Sequence, residues 1–248
     1  KLMNDVLIII PTYNEIENID KIIKSIFGLY NGVNILVVDD NSPDHTSSKV
    51  IELQAIYKEQ LYLQIRKGKS GLGPAYIHGF KWAIKKDYNF IFEMDADFSH
   101  DPRDIKILYN KCKEGLADIC IGSRYKEGIN VVNWPLGRIA LSLFASYYVR
   151  FFTGMNIKDP TSGFICYKRN VIEKINLDMI KFIGYAFQIE MKYKSYLSKF
   201  KILEIPIVFT DRKYGKSKLN ASIINEAVFG VIYMRIKSFF STDYYYEK

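Results

Sequence analysis

Residues 90–102 read FIFEMDADFSHDP: an apolar run, then two carboxylates at i and i+2, then a proline that opens the next element. A short apolar run bounded by turn residues has the length of a strand buried on both faces, and Asp101 before Pro102 suits a helix start. The same unit recurs along the first half of the chain. Strand-like runs lie at 6–10, 34–38, 61–65 and 117–121, with helical patterns near 15–27, 45–58, 73–86 and 102–113. Alternation of this kind predicts a doubly wound α/β sheet, whose ligands gather beyond the carboxyl ends of parallel strands.

The polar residues are concentrated at those ends. PTYNE (11–15) follows the first run, Asp39-Asp40 the second, GKSGLG (68–73) the third, Asp95-Ala96-Asp97 the fourth and GSRY (122–125) the fifth. Parallel strands would bring all five loops to one edge. After about residue 126 the rhythm changes. An aromatic helical segment spans 134–153, a loop follows at 159–164, and a helix is expected near 185–198 with a strand around 202–209. The basic loop 211–218 then leads into an amphipathic helix over about 220–240. No repeat or long linker divides the chain, so one domain over 1–248 is expected.

Composition bounds the class. The chain has 248 residues, 48% hydrophobic and 25% charged, with a net charge of +8. Three widely spaced cysteines, Cys112, Cys120 and Cys166, suit neither a disulfide framework nor a zinc site, and a reducing setting is expected. No cleavable leader is expected, and no apolar run approaches the ~20 residues of a spanning helix. Eight Lys/Arg fall between Lys192 and Lys218 against two acids, Glu204 and Asp211. That balance fits phosphorylated substrates or an anionic bilayer; with no nucleic-acid-binding motif, a nucleic-acid partner is not expected.

Two carboxylates in one turn repel, and a divalent cation that also binds phosphate oxygens relieves the repulsion. Asp97 is the better direct ligand; Asp95 is either a second ligand or a hydrogen-bond acceptor for sugar or ribose, and Ser99 could add a hydroxyl. Helix capping is the competing explanation of the turn. A phosphatase with a nucleophilic aspartate also carries this spacing, but usually after its first strand, whereas here it follows the fourth. Asp39-Asp40 and Glu15 suit a base amide or ribose hydroxyls, while Ser42 and Asp44 are equally well explained as turn and cap residues. The glycines of 68–73 lack the spacing of a nucleotide loop. Arg124, Arg212 and Lys218 are the candidates for holding phosphate.

With those residues in place, the chain resembles the family-2 glycosyltransferases of the GT-A fold, and among them the dolichol-phosphate mannose synthase group. The matching blocks are IIIPTYNEIENI (8–19), LVVDDNSPD (36–44), GLGPAYIHGF (71–80), MDADFSHDP (94–102), GSRY, DPTSGF (159–164) and DRKYGKSKL (211–219). The resemblance implies a Rossmann-like mixed sheet with interfacial amphipathic helices. It implies a nucleotide-sugar half at 1–125 and an acceptor and membrane-facing half at 126–248. It implies donor contacts from Pro11, Tyr13, Glu15, Val38, Asp40, Asp95 and Ala96, metal at Asp97 with Asp95 and Ser99, and phosphate contacts from Arg124, Arg212 and Lys218. Asp95, Asp97 and Arg124 would be the catalytic set. The implied cofactor is Mg²⁺ or Mn²⁺, and the implied substrates are GDP-mannose and dolichyl phosphate. Small membrane-anchoring subunits and a peripheral place on the cytosolic face of the endoplasmic reticulum follow, serving glycosylation and GPI-anchor precursor synthesis. A UDP-glucose-dependent glucosyltransferase and a non-catalytic nucleotide-sugar-binding subunit are the alternatives. Segment 134–153, with Trp134, Tyr147, Tyr148, Phe151 and Phe152 between basic residues, is either an interfacial helix or an ordinary core helix.

Overall fold

The computed structural model describes residues 2–212 and 221–240, without the side chains of 221–225. The first half alternates as its patterning requires: β1 (Val6–Thr12), α1 (Ile16–Leu29), β2 (Asn34–Asp39), α2 (Thr46–Gln54), β3 (Leu61–Ile65), α3 (Leu72–Lys85), β4 (Phe90–Glu93), α4 (Ile105–Lys113) and β5 (Ile119–Ser123). A two-residue strand β6 (Val131–Val132) precedes α5 (Leu136–Thr153). Then come β7 (Ile165–Lys168), α6 (Arg169–Lys174), α7 (Tyr185–Leu197), β8 (Ile202–Pro206), β9 (Phe209–Thr210) and α8 (Ala221–Phe240).

Seven strands form the main sheet in the order β3-β2-β1-β4-β7-β5-β8. Each strand sends alternate side chains to opposite faces. Ile8, Ile10, Val37 and Phe92 enter one core with α1, α2 and α4. Leu7, Ile9, Leu36 and Ile91 enter the other with α3 and α7. Both faces are covered, which explains why the strands read as unbroken apolar runs.

The sheet is mixed because of β7, which pairs antiparallel with both β4 and β5. The chain leaves β5 at the carboxyl edge, makes the excursion through α5, and re-enters from that same edge, so β7 must run backwards. The loop 159–164 therefore joins the carboxyl-end loops, now from the amino end of a strand. The sequence pattern did not resolve β7, since its four residues merge with the helical pattern of α6. Segment 202–209 divides into β8, parallel to β5, and β9, which pairs with β6.

Candidate active site

At the edge where β1, β2, β4 and β5 end, the backbone makes left-handed turns at Asn14, Asn41 and Phe98, with φ of 58°, 57° and 60°. An aromatic residue at positive φ is strained, and Phe98 holds that conformation directly between Asp97 and Ser99. The Ser99 amide donates to Asp97 Oδ1 at 3.0 Å, which fixes the carboxylate. Ser99 thus supports Asp97 through its backbone. Burial, followed by the neighbouring Asp97 charge, raises Asp95 to about 7. The other Asp97 oxygen, Oδ2, lies 3.0 Å from Arg212 Nη2. A guanidinium therefore stands against the paired carboxylates, where their repulsion calls for a cation.

That observation tests the fit of Mg²⁺ or Mn²⁺. The oxygens are hard donors, and the protein's share is two carboxylates in one turn. Among the described residues no three His, Cys, Asp or Glu side chains form a complete metal cage. This matches the ions that take one or two carboxylates and complete their shell with diphosphate and water. The residues fit such an ion.

Around the first two loops the acidic residues divide between support and display. Asp39 accepts from Thr12 Oγ1 at 2.7 Å, Ser42 N at 2.8 Å and Ser42 Oγ at 2.6 Å. Asp44 accepts from the amides of Ile16 and Thr46, both at 3.1 Å, and so ties the starts of α1 and α2. For Asp39, Ser42 and Asp44 the structural explanation suffices. Asp40 instead receives the Ser70 amide on Oδ2 at 3.1 Å and an ion pair from Arg66 at 3.3 Å. Lys69 Nζ lies 4.8 Å above the Tyr13 ring. Glu15 accepts from Asn18 Nδ2 at 2.9 Å and contributes to the charge around Asp95. Pro11 is half-buried at the end of β1.

Val38, Ala96 and Arg124 lie deeper than open side-chain ligands would. The Val38 and Ala96 side chains are sealed in the two cores at 0% and 3% exposure, so only their backbones remain for a ligand. Gly71 and Gly73 pack against the 182–183 stretch, whereas a Cβ at Gly68 would meet nothing within 4 Å. Gly73 N bonds Ile183 O at 2.9 Å, and a Cβ at Gly73 would meet Phe182 O at 2.5 Å. Arg124 is buried and already paired. Its Nε and Nη2 reach Asp159 at 2.7 and 2.5 Å, and Nη2 also reaches Thr161 Oγ1 at 2.8 Å. Burial disfavours its charge, but Asp159 outweighs that and keeps the guanidinium protonated.

Arg124 and Asp159 form a second polar centre that sequence reasoning did not find. Asp159 belongs to DPTSGF, and its place beside Arg124 depends on the antiparallel return. Glu204 on β8 holds the loop by accepting from Lys158 N, Asp159 N and Ser123 Oγ at 2.8, 2.9 and 2.8 Å. Buried Lys192 donates to Ser162 O at 2.7 Å beneath it. The Arg124 guanidinium lies 5.3 to 5.5 Å from the rings of Tyr125, Trp134 and Phe209. His100 stacks on Phe164 at 5.0 Å, and burial lowers it to about 4, so it is neutral. Trp134, in the segment read as either an interfacial or a core helix, precedes α5 and belongs to this cluster, with Arg138 4.0 Å above its ring. Arg138 also pairs with Asp211 at 2.9 Å, beside Arg212. Lys218 lies outside the described residues.

A separate groove of about 730 Å³ reaches the turn at Phe98 and Ser99 from the side of Asp101, Ile207 and Thr210. Neither Tyr13 nor Asp40 lines it.

A Rossmann-like mixed sheet, a paired-carboxylate turn after its fourth strand and basic residues facing that turn define a GT-A-type glycosyltransferase. The chain belongs to glycosyl transferase family 2, whose model matches residues 7–176. It is 43% identical to a polyprenol monophosphomannose synthase of Mycolicibacterium smegmatis over 91% of this chain and 84% of that protein. It is 38% identical to an undecaprenyl-phosphate mannosyltransferase of Micrococcus luteus over 91% and 92% of the two chains. Among solved structures, glucosyl-3-phosphoglycerate synthase of Mycobacterium tuberculosis with Mn²⁺, UDP-glucose and phosphoglyceric acid shares the fold. Its TM-score is 0.68 at 16% identity, over 93% of this chain and 79% of that one.

Proposed function

We propose that the protein transfers mannose from GDP-mannose to the phosphate of a polyprenyl phosphate, with inversion at the sugar carbon and release of GDP. Dolichyl phosphate is the acceptor favoured by the sequence resemblance. Residues 1–125 hold the donor, and 126–248 receive the acceptor and face the membrane.

The observation that carries this reading is the Asp97–Arg212 pair, which joins the donor turn to the basic segment after β9. Two carboxylates of the second half, Asp159 and Glu204, are taken up by Arg124 and backbone amides. A hydroxyl acceptor would need such a base; an acceptor phosphate is already anionic at pH 7. Its oxygen forms the new bond to C1 as the bond from C1 to the diphosphate oxygen breaks, and no proton has to move. Mg²⁺ or Mn²⁺ held by Asp97, with Asp95 beside it, would neutralise charge gathering on the leaving diphosphate. Arg212 serves both phosphates: it meets the donor's diphosphate beside the metal and, together with Lys218, holds the incoming phosphate close and in line. Arg124 acts through Asp159 as a positioning residue for this wall of the site.

The acceptor's lipid tail requires contact with a bilayer. On α5, Leu136, Phe144, Tyr147 and Phe151 are exposed, and only Ser146, Val149 and Thr153 are buried. On α8, Phe229, Ile236, Phe239 and Phe240 are likewise exposed, and Tyr148 Oη donates to Val228 O at 2.8 Å, tying the two helices together. No helix of the described residues is long and apolar enough to cross a membrane. Exposed aromatics flanked by Arg138, Arg150, Arg235 and Lys237 suit a peripheral seat on a membrane, with small membrane subunits as candidate anchors. A dolichyl acceptor places the reaction on the cytosolic face of the endoplasmic reticulum.

The test is transfer of radiolabelled sugar to a short polyprenyl phosphate with Mn²⁺, comparing GDP-mannose with UDP-glucose. Mannose transfer is expected. Glucose transfer instead would favour the glucosyl alternative, and no transfer of either sugar would favour a binding subunit. Asp97→Asn should lower transfer about a thousandfold or more, judged by the worth of charge stabilisation in other active sites. Retained activity would sink the metal assignment.

A further inference from the structure

The segment 181–183, which leads into α7, is held by carboxylates from two helices. Glu190 on α7 is fully buried, and its Oε2 accepts from the amides of Lys181 at 3.0 Å and Phe182 at 3.3 Å. The next amide, that of Ile183, donates to Glu226 Oε1 on α8 at 2.8 Å. Glu226 shares one side of α8 with Gly230 and Tyr233, at the four- and three-residue spacing of helical neighbours. All three meet the segment. A Cβ at Gly230 would lie 2.8 Å from the Phe182 ring, and Tyr233 Oη accepts from Lys181 Nζ at 2.6 Å. The segment in turn supports the loop after β3. Ile183 O accepts from Gly73 N at 2.9 Å. Cβ atoms at Gly71 and Gly73 would stand 3.0 Å from Ile183 Cβ and 2.5 Å from Phe182 O. That loop carries Lys69 over the Tyr13 ring and sets Ser70 N on Asp40.

We propose that Glu226 is a positioning residue for the donor: by fixing the 181–183 segment from α8, it sets the hold of the 68–73 loop on the nucleotide. This rests on the donor reading above and deepens it. Glu190 secures residues 181 and 182 from the buried side of α7. Ile183, the residue that bonds Gly73 and packs on Gly71, takes the acceptor for its amide from α8 instead. The glycines leave no room for a side chain, so displacement of Ile183 by a few tenths of an ångström passes directly to the loop. The bond asks Glu226 for an acceptor oxygen and not for a charge, which separates this role from an electrostatic effect on the diphosphate. α8 is also the helix with the exposed rings of Phe229 and Phe239, so the lipid-facing element and the donor loop meet at one segment.

The test is calorimetric GDP binding with Mn²⁺ and steady-state mannosyl transfer by the full chain, for the wild type, Glu226→Ala, Glu226→Gln, Gly73→Ala and the double variant Glu226→Ala with Gly73→Ala. Glu226→Ala should weaken GDP and raise the donor KM ~5-fold, the worth of one net hydrogen bond, with kcat within ~2-fold. Glu226→Gln keeps the acceptor and should stay within ~2-fold of the wild type. Gly73→Ala should weaken GDP ~10-fold, and the double variant should lose less than the product of the two single losses, because both act through Ile183. Glu226 is partly exposed, so its replacement keeps the fold and the Ala and Gln comparison stands even if Gly73→Ala does not fold. Unchanged GDP affinity in Glu226→Ala, equal losses in Glu226→Ala and Glu226→Gln, or multiplying losses in the double variant each overturn the assignment. GDP affinity that follows Glu226 as expected, with no sugar transferred, would overturn the proposed reaction and leave the positioning role standing.

Discussion

Asp95 shows how charge is distributed for function rather than for stability. Its carboxyl, raised to about 7, stays neutral longer in the fold than in the unfolded chain. An acid with a raised folded pKa contributes its stability at low pH and loses it as pH climbs from the unfolded value towards 7. Asp95→Asn is therefore expected to raise the melting temperature of the metal-free protein by several degrees at pH 8 and by little at pH 5. Mannosyl transfer should fall sharply. Scanning calorimetry at the two pH values checks the first outcome; an equal shift at both would show that ionisation of Asp95 is not the cause. Arg124 makes the complementary case. Asp159 is buried completely, and lysine cannot reproduce the fork that reaches both its oxygens. Arg124→Lys should cost about 2 kcal/mol, or roughly 4–8 °C in melting temperature for a chain of this length. Transfer should fall ~10-fold or more, with the larger effect on acceptor KM.

At the scale of elements, α5 and α8 carry the strongest departure from an ordinary surface. Phe151 is 83% exposed and Phe229 70%, on helices joined to each other by the Tyr148–Val228 bond. A core helix would hide these rings, and apolar patches of this kind mark contact surfaces. Phe151→Glu with Phe229→Glu should reduce binding to anionic vesicles at least ~10-fold in flotation, while leaving GDP affinity within about 2-fold. Unchanged flotation would rule the patch out as a membrane seat. The antiparallel β7 matters in a different way. By returning from the edge it left, the chain brings Asp159 to Arg124 across 35 residues of sequence.

For the whole molecule, the proposed role of Arg212 at Asp97 would couple metal to nucleotide. A cation alone must compete with a guanidinium already in place, whereas a diphosphate offers Arg212 and the metal a shared partner. Mn²⁺ and GDP together should therefore raise the melting temperature by more than the sum of their separate shifts, by about 2 °C or more at saturating concentrations. Additive shifts would show the two to be uncoupled.

Much of this was legible in the primary structure. The runs at 6–10 and 34–38 announced their strands because burial on both faces favours apolar side chains; the edge run 61–65 is only partly buried and showed by its β-favouring residues. The polar residues after them announced the edge, since parallel strands must deliver their loops to one side. Asp95 and Asp97 stood out because two adjacent carboxylates need a reason to be together. What one-dimensional pattern could not supply was pairing. β7 is too short to show a period, and its direction depends on where the α5 excursion ends. Asp39 and Asp40 are the same residue type at adjacent positions, yet three hydrogen bonds absorb one while the other keeps an unused oxygen beside Arg66. That Arg124 is paired with Asp159 is visible only in the fold. The sequence determined which chemistry the chain carries and at which edge, because hydrophobic periodicity and local turn chemistry are written residue by residue. Only the tertiary structure decided which charges are neutralised from within and which remain for a substrate, because that depends on partners brought from strands far apart in the chain.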